Sequence, residues 1–338
     1  MAWHLVGDKN DMTVMKKTTT LFAVLGLAAC GGSNGGAIVA PNFSEADQEL
    51  RTFADVSGDF GAILDDSGTL SSRAGTAVAV QLRFNGGTTN LTDASVAVSK
   101  NAAGELTATL NGESREFTVT DRQIEGDGNT YGYEFEAANG TTFSIFHFGG
   151  SLEELLTEGN GFGTIVSVGA DLGPDGDTLY HRSFAAIGGE TADLALSEIT
   201  GSATFDGNGR IDFYPTEDFI NSGTSRGRLR GDVTMTANFD AGEISGAIQD
   251  LTLQAPGASE RAAIGGQVDF NTAEFEANTF AGAVTGNAAL AASGIVLNDD
   301  AAYNGAFFGP DADEVHGVIS ATGSLDGKDM NAIGYFTQ

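Results

Sequence analysis

The chain has 338 residues with 16 basic and 46 acidic side chains, a net charge of −30 at pH 7, 48 glycines, five prolines and a single cysteine. So large an acidic excess excludes nucleic acid as a partner, because phosphate contact needs the opposite sign. A lone cysteine excludes an internal disulfide, and the abundance of glycine beside Thr, Val, Ile and Phe points to many short strands joined by tight turns.

Met1 to Val14 carries Asp8 and Asp11 and lacks the character of an export leader, so Met15 is expected to be the true start. From there the order is Lys16 and Lys17, the apolar run Leu21-Phe22-Ala23-Val24-Leu25-Gly26-Leu27, and small residues before a cysteine. That is the order of a secretory signal peptide. The apolar run is far shorter than the roughly 20 residues a transmembrane helix needs, so residues 1–29 are expected to be cleaved. Leu27-Ala28-Ala29-Cys30 resembles the lipobox of bacterial lipoproteins, in which the thiol receives a diacylglycerol group and the freed amine a further acyl chain. Several chains, each contributing about 0.8 kcal/mol per buried CH₂, anchor a protein stably. The alternative is an ordinary secretory signal with a chance cysteine. Loss of the leader removes three basic and two acidic residues, leaving 13 against 44 and a net charge of −31. Residues 30–45 open on Gly31-Gly32-Ser33-Asn34-Gly35-Gly36 and form a flexible tether.

Residues 46–198 read as a β-rich domain. Val78 to Phe84 and Thr88 to Leu91 flank Asn85-Gly86-Gly87, and Leu106 to Leu110 and Phe117 to Val119 flank Asn111-Gly112. Asn-Gly pairs supply the positive φ angles of tight hairpins. Ser151 and Glu154 have capping-box spacing with Gly159 beyond, which predicts a short helix over Ser151–Leu156.

Residues 199–338 repeat a unit of strand, Phe, Asp or Asn, turn and strand. Turns are predicted at Asp206-Gly207-Asn208-Gly209, at Asp240-Ala241-Gly242 and at Asn271-Thr272-Ala273. Six to nine such strands without a long helix imply an antiparallel barrel, because closure removes exposed edges.

Near the C-terminus stands Gly305-Ala306-Phe307-Phe308-Gly309-Pro310-Asp311-Ala312-Asp313-Glu314-Val315-His316-Gly317, followed by Ile333-Gly334-Tyr335-Phe336. This segment, with Gln267 to Phe270 and Val233 to Gly246, resembles the closing strands of the β-barrel domain in the transferrin-binding protein B family of surface lipoproteins. The resemblance implies an all-β fold: a sheet-rich N-terminal handle domain followed by a C-terminal antiparallel up-and-down barrel of about eight strands. It also implies a lipid anchor in the outer membrane, display at the cell surface, and capture of a host iron- or haem-carrying protein for a TonB-dependent receptor. Members of that family that bind transferrin carry two such lobes, whereas this chain has one. Gly309 and Pro310 are expected to set a turn and Phe307 or Phe308 to fill the barrel.

Few residues have the pattern of a chemical site. His147, His181 and His316 are widely spaced, and neither a zinc motif nor a serine-nucleophile elbow is present. Asp206 to Asp212 begins like a calcium loop but has Ile211 where glycine is required, so a turn is the simpler reading. Tyr180-His181-Arg182 offers residue types that ligate haem and clamp a propionate, with an ordinary strand as the alternative. In Arg226-Gly227-Arg228-Leu229-Arg230-Gly231, residues two apart share a strand face, so the three arginines line one side. They either pair with carboxylates on neighbouring strands or recognise an anionic ligand. The sequence therefore predicts a non-enzymatic binding protein with no resident cofactor, haem entering only as transported cargo. The alternative is an adhesin, immune-evasion or structural envelope lipoprotein. Replacing Cys30 by Ala should abolish palmitate labelling and detergent partitioning; unchanged labelling would contradict the anchor.

Overall fold

A computed structural model of the protein describes residues 69–71, 79–85, 88–93, 96–100, 106–110, 113–117, 122–126, 129–136, 142–148, 163–172, 179–188, 191, 193–216, 227–275, 277–309 and 311–338. The leader, Cys30, the tether and the helix expected at Ser151–Leu156 lie outside these residues.

The N-terminal strands are β1 (Thr69–Ser71), β2 (Ala79–Asn85), β3 (Thr88–Asp93), β4 (Val96–Lys100), β5 (Leu106–Leu110), β6 (Glu113–Phe117), β7 (Arg122–Gly126), β8 (Asn129–Glu136), β9 (Thr142–Phe148), β10 (Gly163–Leu172) and β11 (Leu179–Gly188). They form a four-stranded sheet, β1-β4-β5-β6, and a seven-stranded one, β3-β2-β11-β10-β9-β8-β7. Both expected hairpins form: Asn85 pairs with Thr88, and Leu110 pairs with Glu113 across Asn111-Gly112. The second return strand starts at Glu113, earlier than Phe117, because the two-residue turn leaves no room for a longer loop.

The remaining elements are α1 (Asp193–Leu196), β12 (Ser202–Pro215), β13 (Gly227–Asn238), β14 (Glu243–Gln254), β15 (Ala262–Ala263), β16 (Val268–Glu274), β17 (Thr279–Gly286), α2 (Ala288–Ala292), β18 (Ile295–Leu297), β19 (Ala302–Phe308), β20 (Glu314–Leu325) and β21 (Lys328–Thr337). Eight of these strands run antiparallel in the circuit β12-β13-β14-β16-β17-β19-β20-β21, and β21 returns to β12. The sheet is closed, so none of the eight is left as a bare edge.

Aromatic side chains fill the interior. The Phe307 ring centroid lies 5.0 Å from that of Phe275, 5.3 Å from Phe280 and 5.6 Å from Phe239. Phe270 stands 5.0 Å from Tyr303 and 5.1 Å from Phe336. The two short helices close opposite ends. Asp193 of α1 accepts from the Asn278 N–H beside β17's start, and Leu196 joins the barrel core. At the other end the Asn287 side chain caps α2 by accepting from the Leu290 N–H at 3.0 Å, and Leu290 is buried in the same core.

Outside, the barrel has two kinds of face. β13 alternates buried and exposed residues from Val233 to Asn238, as a strand with one wet side does. β21 is buried almost throughout, because Ile333 and Tyr335 on its outer side join Ala306, Phe308 and Val318 in a second core with Ile165, Phe184 and Ala186 of β10 and β11. One flank of the barrel is thus covered by the seven-stranded sheet. Phe307 points inward and Phe308 into this second core.

Two predicted turns are not turns. Asp206-Gly207-Asn208-Gly209 lies inside the 14-residue strand β12, which also removes any calcium-loop geometry there. Glycine serves at 209 because a Cβ would stand 2.8 Å from both Ile248 Cδ1 and Val233 Cγ2 in the filled interior. Asn271-Thr272-Ala273 lies within β16, where the register against β14 slips between Ile244 and Gly246. The extra residue makes a β-bulge, and the Asn271 carbonyl accepts from the hydroxyl of buried Tyr303 at 2.7 Å. The predicted turn at Asp240-Ala241-Gly242 forms, with Gly242 at φ +67°. Gly209→Val should therefore cost about 1–3 kcal/mol by overpacking, read by urea unfolding. A neutral effect would mean that Gly209 does not face the filled interior.

Candidate functional site

On the outer face, at the border between the covered and the open flank, β12, β13 and β21 bring charged residues into register. One row reads Ile333, Asp212, Arg228 and Gln254; the next reads Tyr335, Arg210, Arg230 and Thr252. Alternation places Arg210 and Asp212 on the same side of β12, while Ile211 and Phe213 enter the barrel core. The strand pattern of Arg228-Leu229-Arg230 is as the sequence implies, with Leu229 inside. Arg226 lies outside the described residues.

Asp212 is fully buried. Arg210 meets it with a two-point fork, Nε donating to Oδ1 at 2.8 Å and Nη2 donating to Oδ2, and Arg228 Nε donates to the same Oδ1 at 3.2 Å. A desolvated carboxylate is costly unless such charge-assisted bonds compensate it. The Arg210 guanidinium also lies 5.9 Å from the Phe184 ring centroid, and Phe184 meets Tyr335 edge-on at 5.3 Å. The network thus ties the barrel surface to the sheet that covers it.

Arg230 stands apart. Its side chain is half-buried, its Nε is shielded from solvent without a hydrogen-bond partner, and no ion pair among the described residues includes it. Burial holds its guanidinium below the usual arginine range, and the positive charges of Arg210 and Arg261 push in the same direction against Tyr335 and Asp212. Burial raises the Tyr335 phenol above its ordinary value, with Arg210 and Arg230 opposing. Of the arginine stripe, Arg228 is a structural partner of Asp212 and Arg230 retains unmet donors.

The other expected residues are not drawn to this place by anything described. Tyr180 and His181 lie on β11, paired in register with Asp171 and Ala170 of β10 and with Phe84 and Arg83 of β2. His316 is buried between Thr337 Oγ1 at 2.8 Å and Glu314 Oε2 at 3.0 Å, and that carboxylate also accepts from the Gly163 N–H at 2.9 Å. This imidazole joins β20, β21 and the start of β10. Among the described residues no group of three or more His, Cys, Asp or Glu side chains converges to hold a metal ion. Arg210 and Asp212 were missed as site residues because their segment reads as a turn. The alternation Arg210-Ile211-Asp212-Phe213 was the available signal for a strand.

Replacing Asp212 by Ala leaves Arg210 buried without its counter-charge and should cost about 3–5 kcal/mol in urea unfolding. Arg228→Gln leaves the Arg210 fork intact and should cost clearly less. Equal and small losses from both changes would show that the network is not desolvated.

Residues 199–337 match the family described as the C-lobe and N-lobe beta barrels of Tf-binding protein B. Among solved structures, the chain is similar to transferrin binding protein B isotype 1 from serogroup B Neisseria meningitidis, at 15% identity and a TM-score of 0.37, over 77% of this chain and 43% of that one. It is also similar to a variant of transferrin binding protein B from Haemophilus parasuis Hp5, at 12% identity and a TM-score of 0.40, over 77% and 45%. Intact Ap-TbpB, with N and C lobes, gives 15% identity and a TM-score of 0.38 over 77% and 46%. The chain thus spans less than half the length of these solved relatives. No curated protein matches it. The motif around Gly305 to Gly317, the eight-stranded circuit and the family match over 199–337 agree that this part of the chain forms a barrel similar to those of Tf-binding protein B.

Proposed function

We propose that the protein is a non-enzymatic lipoprotein of the outer membrane, displayed at the cell surface through Cys30, that captures an iron- or haem-carrying host protein for a TonB-dependent receptor. The observation that carries this reading is the match of residues 199–337 to the barrels of Tf-binding protein B. The filled interior supports it. With Phe205, Phe239, Phe270, Phe275, Phe280 and Phe307 in one core, the barrel axis is packed with side chains and binding falls to outer faces and loops. The acidic surface favours basic or neutral partner surfaces. A structural or adhesive lipoprotein would show the same anchor and barrel but retain no iron carrier.

Serum passed over the immobilised mature protein, with parallel titration of free haem followed in the visible spectrum, separates these readings. The capture reading expects transferrin or a haem carrier to be retained. Retention solely of proteins that carry neither iron nor haem would move the protein to the adhesive or immune-evasion class, and retention of nothing would contradict capture.

A further inference from the structure

In a segment as acidic as residues 199–338, the placement of positive charge is informative. All five of its arginines, Arg210, Arg226, Arg228, Arg230 and Arg261, belong to β12, β13, the residue before β13, or the residue before β15. β15 pairs with β14 through Ala262 opposite Leu253 and Ala263 opposite Thr252, and Thr252 in turn lies opposite Arg230. Arg261 is exposed and its charge acts on Arg230.

The two rows on this face differ in one respect. In the first, Asp212 sits opposite Arg228 and receives bonds from both Arg228 and Arg210. In the second, Arg210 and Arg230 lie directly opposite one another, a like-charge cross-strand pair that is unfavourable by itself. Arg230 has donors without acceptors among the described residues, including an Nε hidden from water. A buried donor left unpaired is destabilising; the Tyr335 hydroxyl in this row is engaged by Arg210, so Arg230 Nε lacks an acceptor of the kind that Asp212 supplies to Arg228.

We propose that Arg230, with Arg261 at its open side, forms a binding site for a carboxylate borne by a ligand, which takes in the second row the place that Asp212 takes in the first. Arg230 donates to the carboxylate oxygens, Arg261 adds charge from the rim, and Arg210 remains committed to Asp212. Arg230 and Thr252 are the half-buried end of the row, whereas Arg210 and Tyr335 at its other end are buried beside the seven-stranded sheet. The site deepens the capture reading and rests on it for the nature of the physiological ligand, which would then present an acidic side chain or chain terminus to the barrel.

Citrate titrated into the full mature chain at ionic strength held constant with sodium chloride tests the site without any protein ligand. The arginine Nε–Hε resonance of Arg230 should move saturably, and at citrate ten times its dissociation constant the melting temperature should rise about 2–4 °C more for the native protein than for Arg230→Met. Comparing the two proteins cancels the general stabilisation that citrate gives by exclusion from surfaces. Arg261→Gln should weaken the response without abolishing it. An Arg230 resonance that does not saturate, or an equal rise in Arg230→Met, would overturn the proposal. So would a lower melting temperature of Arg230→Met in the absence of citrate, since the guanidinium would then already have a stabilising partner. Failure of serum capture with a positive citrate response would refute the iron reading and leave the site standing; the reverse pattern would refute the site alone.

Discussion

The constraint on which the rest of the structure depends is the filling of the closed barrel by aromatic rings. Phe307 stands at the meeting point, with Phe205, Phe239, Phe275 and Phe280 around it, and Phe270, Tyr303 and Phe336 complete the packing. Rings of this size enter a narrow barrel where the paired residue on the neighbouring strand carries no side chain, as Gly305 does beside Phe280 and Gly317 beside Phe336. Gly305 and Gly317 face each other across β19 and β20, and a Cβ at either would collide with the ring of Phe280 or Phe336. The recurrent Gly and Phe of the C-terminal motif are thus two halves of one packing device. Because the interior is filled in this way, the chemical differences between strands lie on their outer faces.

Outside, burial decides the chemistry of each strand. Where the seven-stranded sheet covers the barrel, outward residues are apolar, as at Phe308, Val318 and Ile333; where water reaches the strand they are polar, as at Thr234 and Thr236. Asp212 belongs to the covered side, and its cost of desolvation is offset by two guanidinium groups rather than by water. Arg230, one row further and partly open, has no such partner. The same residue type therefore has a structural role at 228 and an unpartnered Nε at 230, a difference produced by cross-strand register and not by sequence neighbourhood.

That distinction marks the limit of what the sequence disclosed. Strand alternation correctly put Arg228 and Arg230 on one face with Leu229 opposite, because a period of two needs only local information. The C-terminal motif correctly identified the barrel, since its glycines and rings obey a packing rule specific to that fold. Asp206 to Gly209 was misread because Asp, Gly and Asn favour turns by local preference, whereas Gly209 is needed for an approach of Ile248 and Val233 from strands far away in sequence. Asn271 to Ala273 was misread for a related reason: a bulge and a turn use similar residues, and pairing with Ile244 and Gly246 decides between them. Arg210 and Asp212 stayed hidden as a pair because the false turn broke the strand that aligns them.

Covering one flank of a filled barrel with a second sheet means that the two share a core through Phe184, Ile165, Tyr335 and Phe308, and that sharing leaves the arginine rows at the edge of the cover. Native-state hydrogen exchange tests it most directly. The amides of Val166 and Ala185 on β10 and β11 should exchange with the same opening free energy, and the same urea dependence, as those of Ile211 and Ile333 in the barrel. Exchange of the β10 and β11 amides through a separate opening of much lower free energy, with the barrel amides still protected, would contradict the shared core.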